Sequence, residues 1–492
     1  MSTPRTGRTE PPDLERYDTE EPDDTEELDR PSGPTVTGTG DGPLAPAPVV
    51  PDSPGPGTGP DGADDPVNPA EAHGAAPSRC PVSGTGARPG GTAAAPVELP
   101  RHRTSPFDPP EAYAGLRERC PVAPLRLTLG PGDGDGWLVT RLADARAILS
   151  DRRFSHRNEL IGLPLPPPFP LTEYAPPPAA PGAFIKMDQP EHSRYRRLIA
   201  KRFTMRGINA LTPMITRITE ESLDAMEAAG KPVDLVKHFA EPLPVRVMCE
   251  MLGVPDEVRG PLGDHLALLG RMEYSLEELI TACTVIAEQL QGLLAAKRAE
   301  PADDLLSELA AGGKVTDEEW VNIAWALLGG GFDTTMNMLA LGTFALLTRP
   351  EQLAAIRDRP ELVDNAVEEL LRYLTISHFG ASRAALADVE LHGTRIAKGD
   401  TVVVALPAAN RDPAHFGTPD TLDITAPTQG HVAFGHGEHQ CVGQHMARGV
   451  LRIAYPALFR RFPTLRLATA PDEVPLREDM LHYGVHELMV TW

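Results

Sequence analysis

From Ile323 to Thr348 the chain runs 26 residues with a single charge, and this stretch dominates its hydrophobic pattern. Ahead of it, Thr316 and Glu319 stand three apart, the spacing of a capping box, and Pro350 closes it. The pattern predicts one helix from Thr316 to Arg349, roughly 50 Å long at 1.5 Å per residue. A helix that is apolar on nearly every face belongs inside a core or a bilayer. Asp333, Thr334, Thr335 and Asn337 sit at its centre beside Gly329, Gly330 and Gly331, and no Lys or Arg cluster flanks it. Polar groups there are costly in lipid, so a buried core helix is expected and a membrane span is not.

Other elements follow from shorter patterns. Gly136 to Thr140 reads as a strand and Leu142 to Leu149 as a short helix. Leu163 to Pro181 holds nine prolines in 19 residues, a density that forbids helix and ladder pairing and predicts a long stiff loop, read as a lid. From Glu191 to about Leu374 the pattern is mostly helical. Val389 to Leu391 and Thr401 to Ala405 read as strands, Ala408 to Gly443 as turns, and Val442 to Phe462 as a helix that Pro456 should kink or break. The fold class is mainly α with a minor β part.

Composition divides the chain. The 492 residues carry 46 basic and 69 acidic side chains, a formal charge of −23. The first 100 residues hold 20 Pro, 14 Gly, 18 acidic and 6 basic residues, too little apolar material to offset the entropy of ordering them. Residues 1–99 are therefore expected to be a disordered acidic tail and 100–492 a single domain. A chain without residues 1 to 95 is expected to keep its cofactor. Overall acidity argues against a nucleic-acid partner. The five cysteines are scattered and odd in number, which suggests a reducing compartment, the cytoplasm, and no disulfide framework.

The sharpest chemical signal is FGHGEHQCVG, Phe434 to Gly443. Cys441 precedes a helix, whose free N–H groups favour thiolate. Gly435, Gly437 and Gly443 let the backbone curl around the sulfur and let a large flat group approach. A thiolate so held suits an axial iron ligand. His436, His439, Cys441 and His445 would also supply zinc-type ligands, and a buried inert cysteine is the plainest alternative.

Phe434, Gly437, His439, Cys441 and Gly443 match Phe-x-x-Gly-x-(Arg/His)-x-Cys-x-Gly, and with them the chain resembles the cytochrome P-450 haem-thiolate monooxygenases, most of all soluble actinobacterial members. GGFDT, Gly330 to Thr334, is similar to the family's oxygen-activation motif, and Glu369 and Arg372 to its Glu-x-x-Arg. His192, Arg196, Arg383 and His431 stand where the family places partners for the haem carboxylates. Softer similarities are WLVTR, MLGVP and AANRDP, and the motifs run in the family's order from Pro100 onward.

The resemblance implies the cytochrome P-450 fold, with a long central helix and a C-terminal cysteine loop. It implies haem b (iron protoporphyrin IX) held by Cys441, and insertion of one oxygen atom of O2 into a small apolar organic substrate. Asp333 would relay protons and Thr334 would hydrogen-bond dioxygen. Structurally, Thr334 could instead bond back to the Gly330 carbonyl. An isolated carboxylate in an apolar helix is expensive, which favours the relay for Asp333. Electrons would come from a separate ferredoxin and ferredoxin reductase, because no dinucleotide-binding unit or iron–sulfur cysteine cluster is present. Arg448 and Arg452 offer a positive docking patch, or simply a solvated face. One departure stands out: Ala426 occupies the position where similar proteins usually have an Arg that supports the Glu-x-x-Arg pair, so Glu369 is expected to rely on Arg372 alone. The alternatives are a haem protein without turnover and a zinc-binding structural protein.

Overall fold

The computed structural model describes residues 95–130, 135–171 and 175–492. The expected disordered tail lies, as far as residue 94, outside the described residues. Ordered structure is in place by Val97, which pairs with Leu125 in an isolated bridge, while Leu99 is buried.

The central helix spans Asp317–Leu347, and both halves of the predicted capping box are formed: Thr316 accepts from the Glu319 N–H, and Glu319 accepts from the Thr316 N–H. Its C-terminal half is enclosed, with Leu339, Leu341, Phe344, Ala345 and Leu346 fully buried. The run that could be mistaken for a membrane span is thus the axis of the protein core. Around it pack the helices Pro242–Leu252, Leu276–Ala299, Val363–Leu374 and Gln444–Arg461. Among the described residues one helix, Leu276–Ala299, is long and apolar enough to cross a membrane; it packs on the central helix with Ile286, Leu290, Leu293 and Leu294 in the core.

The β part is small. Five strands pair in the order Val122–Arg126, Asp135–Val139, Thr401–Val404, Ala381–Ala385, Phe154–Ser155, with Asp135–Val139 and Thr401–Val404 parallel and Leu138 opposite Val403. The run TVVV is buried on both faces, as a central strand must be. A three-stranded sheet near the C-terminus and the Val389–Leu391/Thr394–Ile396 hairpin complete it.

Two expectations change. The last helix, Gln444–Arg461, passes through Pro456 without a break. Burial of Tyr455, Ala457, Leu458 and Phe459, and the hydrogen bond from the Tyr455 hydroxyl to the Met338 carbonyl at 2.7 Å, offset the missing backbone donor. Cys120 is disulfide-bonded, where the cysteine spacing suggested no such link; Cys249, Cys283 and Cys441 are free.

Candidate active site

The cysteine loop is closed by its own backbone, with the Cys441 N–H donating to the Phe434 carbonyl at 2.9 Å. Gly443 caps the following helix. Gly435 and Gly437 have φ of +73° and +74°, a region costly for any other residue. A Cβ at Gly437 would lie 2.6 Å from the Leu149 carbonyl oxygen. Gly437 is therefore required by the close pass of the loop over the Leu142–Ser150 helix, whereas its sequence position suggested room for a cofactor.

Cys441 opens into a cavity of about 250 Å³. The loop supplies one wall through Phe434, His439, Cys441 and Gly443, the central helix another through Gly330, Gly331 and Thr334, and the Glu191–Phe203 helix a third through His192 and Arg196. A Cβ built on Gly330 meets nothing within 4 Å, so the helix presents bare backbone to the cavity. The thiol faces the cavity and not bulk solvent. Its desolvation pushes the pKa up, against the Gly443 and Gln444 N–H groups and the charges of Arg196 and Arg448. Thiolate is thus not favoured by the helix terminus alone, as the sequence suggested; burial outweighs it, and a bound cation is what would reverse the balance.

The polar wall of this cavity fits a flat group that carries anions. Three imidazoles stack in series, His156 on His439 with centroids 4.2 Å apart and His439 on His192 at 4.0 Å. His156 Nδ1, His192 Nδ1 and His439 Nε2 are buried without a hydrogen-bond partner, which is expensive unless something completes them. Burial depresses all three pKa values, with further pressure from Arg383 on His156 and from Arg196 on His192; His439 is pushed down to about 3 by burial, His192 and both arginines. Carboxylates placed among these groups would relieve both the orphaned nitrogens and the like-charge crowding. Zinc is a poor fit: among the described residues no group of three or more His, Cys, Asp or Glu is placed to hold a metal ion.

Asp333 differs from expectation. It is not isolated: Arg477 Nη2 donates to Oδ1 at 2.7 Å and His482 Nδ1 lies 2.9 Å from Oδ2. Burial opposes its charge, but the His482 hydrogen bond and the Arg477 charge hold its pKa below the usual carboxylate value. The paired carboxylate does not carry the cost of an isolated buried charge, so packing accounts for its presence without a relay. Thr334 Oγ1 donates to the Gly330 carbonyl at 2.8 Å, the structural alternative, while also lining the cavity.

Several residues are placed elsewhere than their motifs suggested. His431 does not line the cavity: its Nε2 is 3.0 Å from Glu368 Oε2, and its Nδ1 accepts from the Ala433 N–H. Arg383 is buried behind His156 and His439 and donates to the Ser382 carbonyl at 2.8 Å. Arg448 and Arg452 form no free positive patch. Arg448 grips Glu368 with two bonds, at 2.7 and 2.9 Å, and Arg452 pairs with Asp364 at 3.1 Å. Glu369 and Arg372 are a buried two-bond pair at 2.7 and 2.8 Å. Glu369 does not rely on Arg372 alone, since the Asp423 N–H donates to it at 2.9 Å. Asn365 in turn holds the carbonyls of Ile424 and Ala426, so the backbone around Ala426 is supported without an arginine there. Of the proline-rich segment, Thr172, Glu173 and Tyr174 lie outside the described residues. Pro166 to Leu171 line a separate open pocket with Tyr274, and Phe184 and Ile185 beyond the segment line the cavity over Cys441.

Sequence patterns do not disclose His156, Arg477, His482 or Glu368. Only Glu368 leaves a trace, as the neighbour of the Glu-x-x-Arg glutamate. The others reach their partners through tertiary structure.

Comparison with known proteins places this geometry. The Cytochrome P450 family model matches residues 264–482. Cytochrome P450 105C1 of a Streptomyces species is 47% identical over 371 residues, covering 75% of this chain and 92% of that protein. Mycinamicin IV hydroxylase/epoxidase of Micromonospora griseorubida is 37% identical over 381 residues, covering 75% and 92%. Among solved structures, CYP105P1 in complex with filipin I superposes with a TM-score of 0.73 at 43% identity, covering 81% of this chain and 99% of that one.

Proposed function

The chain belongs to the cytochrome P450 family, and we propose that it hydroxylates or epoxidises an apolar organic substrate of secondary or xenobiotic metabolism, with Cys441 as the ligand of haem b and a ferredoxin, served by its reductase, as electron donor. That it is a P450 monooxygenase follows from the family, as does a haem cofactor, the use of O2 and dependence on redox partners. The observation that carries the residue assignments is the cavity itself, lined by the Cys441 thiol, by bare helix backbone at Gly330 and by imidazoles with buried nitrogens that lack a hydrogen-bond partner.

Haem, when bound, supplies reductive activation of dioxygen, one atom of which enters the substrate. Cys441 offers the sulfur, presented by a loop that its own N–H bond closes. His192, Arg196, His439 and His156 would hold the haem carboxylates, with Arg196 the side chain best suited to pair with one of them. Arg383 adds charge from behind. Phe434, Gly437 and Gly443 shape the loop. Gly330 keeps the central helix bare where substrate and dioxygen must fit, Gly331 makes room for the Met248 side chain, and Phe184 and Met248 give an apolar wall. Thr334 can turn its hydroxyl from the Gly330 carbonyl into the cavity. Asp333, as a carboxylate bonded to His482, can orient that partly exposed imidazole as the proton donor of a relay from solvent. The segment 163–181 serves as a lid: Phe169 meets Tyr274 at 6.1 Å, tying it to the loop before the Leu276–Ala299 helix.

Titration of the ferric protein with a panel of apolar ligands, scored by spin-state shift in the absorption spectrum, tests this reading. At least one hydrophobic class should shift the spectrum saturably, and Gly330→Phe should abolish the shift. A ligand response that survives Gly330→Phe would place the substrate elsewhere.

A further inference from the structure

Glu368 lies beside the Glu-x-x-Arg glutamate on the Val363–Leu374 helix and points the other way. Its neighbour Glu369 faces Arg372, while Glu368 faces the cysteine loop and the last helix. His431 Nδ1 accepts a backbone N–H from Ala433, so the ring proton sits on Nε2 and is donated to Glu368 Oε2 at 3.0 Å. From the opposite side the Arg448 fork closes on both carboxylate oxygens, and Arg452 adds a third contact at 3.8 Å. One carboxylate thus joins three segments of the chain. Burial opposes its charge, yet His431 and Arg448 hold its pKa down to about 2, so it stays anionic.

The consequence runs to the sulfur by two routes. The Arg448 guanidinium lies 4.5 Å over the Phe434 ring, and the Phe434 carbonyl holds the Cys441 N–H. Fixing Arg448 therefore fixes the residue that sets the cysteine backbone. Arg448 also brings its positive charge against the cysteine loop, over the residue whose carbonyl holds the Cys441 N–H, and Glu368 is the counter-charge to that arginine.

We propose that Glu368 is a positioning residue of the cysteine loop: by clamping His431 to Arg448 it fixes Phe434, and by neutralising Arg448 it sets the electrostatic field at the Cys441 sulfur and hence the reduction potential of the bound iron. The inference rests on Cys441 as the iron ligand. Charge near the ligand and hydrogen bonding around it are two of the levers a protein has on such a potential. A carboxylate held within a part-buried network of charged partners is costly to leave half-satisfied.

The test is a redox titration of the haem-loaded protein in three variants. Glu368→Gln keeps the shape and removes the negative charge, leaving Arg448 uncompensated, so the potential shifts positive. Arg448→Gln removes the positive charge and shifts it negative. The double variant returns toward the parent value, although its thermal midpoint stays lowered. A purely structural role for Glu368 predicts lower thermal midpoints without opposite potential shifts, and that outcome overturns the proposal. If Glu368→Gln fails to retain haem, the sign of the Arg448→Gln shift decides alone; a positive or null shift there also overturns it. The carbon monoxide spectrum of the parent protein separates this from an error over Cys441: without a thiolate Soret band the ligand assignment fails, and with one in hand only the role of Glu368 is at stake.

Discussion

Asp333 of the central helix and Arg477, 144 residues later in the chain, lie 2.7 Å apart, and the bond places a partly buried carboxylate between a buried cation and the partly exposed His482. Removing the charge by Asp333→Asn leaves Arg477 buried without its partner and should cost about 2–3 kcal/mol of stability at pH 7. The pH dependence has a definite sign. The folded pKa of Asp333 is depressed, so its contribution is full above the unfolded value of about 4 and is lost as pH falls below it. Denaturant melts of the parent and Asp333→Asn should therefore differ most near neutrality and converge in acid. A constant gap down to pH 2 would mean that the pair contributes nothing through charge.

Thr334 spends its hydroxyl on the Gly330 carbonyl at 2.8 Å, a bond that a helix can lose for about 1 kcal/mol or less. Thr334→Ala should fold and load haem normally. Its expected defect is chemical: electrons consumed without matching product, with partial recovery in Thr334→Ser. Parallel assays of donor oxidation and product formation check this, and coupling equal to that of the parent would remove Thr334 from proton or oxygen handling.

Glu319 closes the N-terminus of the central helix, where Arg194 bonds it at 2.6 Å and the Tyr195 hydroxyl at 2.7 Å. The Arg194 hydrogen bond is the main reason its pKa falls to about 2. Stability from this group is complete above its unfolded value of about 4.3 and disappears as pH drops toward 2. With the Arg194 side chain 45% exposed, the charged contribution is discounted to about 1 kcal/mol. Glu319→Gln should lose that amount at pH 7 and match the parent at pH 2, as read by thermal midpoints across pH.

Gly330 and Gly331 are adjacent but not equivalent. A methyl at Gly330 enters open cavity, whereas one at Gly331 collides with the end of the Met248 side chain. Gly330→Ala should leave stability unchanged or raise it by up to about 1 kcal/mol through helix propensity, while weakening bulky ligands. Gly331→Ala should be the less stable of the two because Met248 has to move. Melting curves and ligand titrations of both variants give the comparison.

What the sequence discloses and what it hides divide along the range of the interactions. The Thr316–Glu319 capping box is legible because its partners are three residues apart, and the central helix because its pattern is long. Cys441, Gly330 and the His192–Arg196 pair are legible because they fall within short motifs or one helical turn. The misplacements concern partners remote in sequence. Arg448 and Arg452 read as a surface patch because nothing local announces Glu368, 80 residues earlier. His431 reads as a carboxylate partner for the same reason. Asp333 reads as isolated because Arg477 and His482 come from the C-terminal segment. The support for Glu369 at Asp423 is hidden in another way: it comes from a backbone N–H, which every residue but proline carries, so no side-chain code can reveal it.

Cys441 as the iron ligand is the assignment on which the other residue roles depend. The most direct measurement is the absorption spectrum of the reduced protein under carbon monoxide, taken on the parent and on Cys441→Ser. The parent should show the red-shifted Soret band of a thiolate ligand, and Cys441→Ser should lose that band while keeping its fold by circular dichroism. A colourless parent, or a red-shifted band that persists in Cys441→Ser, would contradict the assignment.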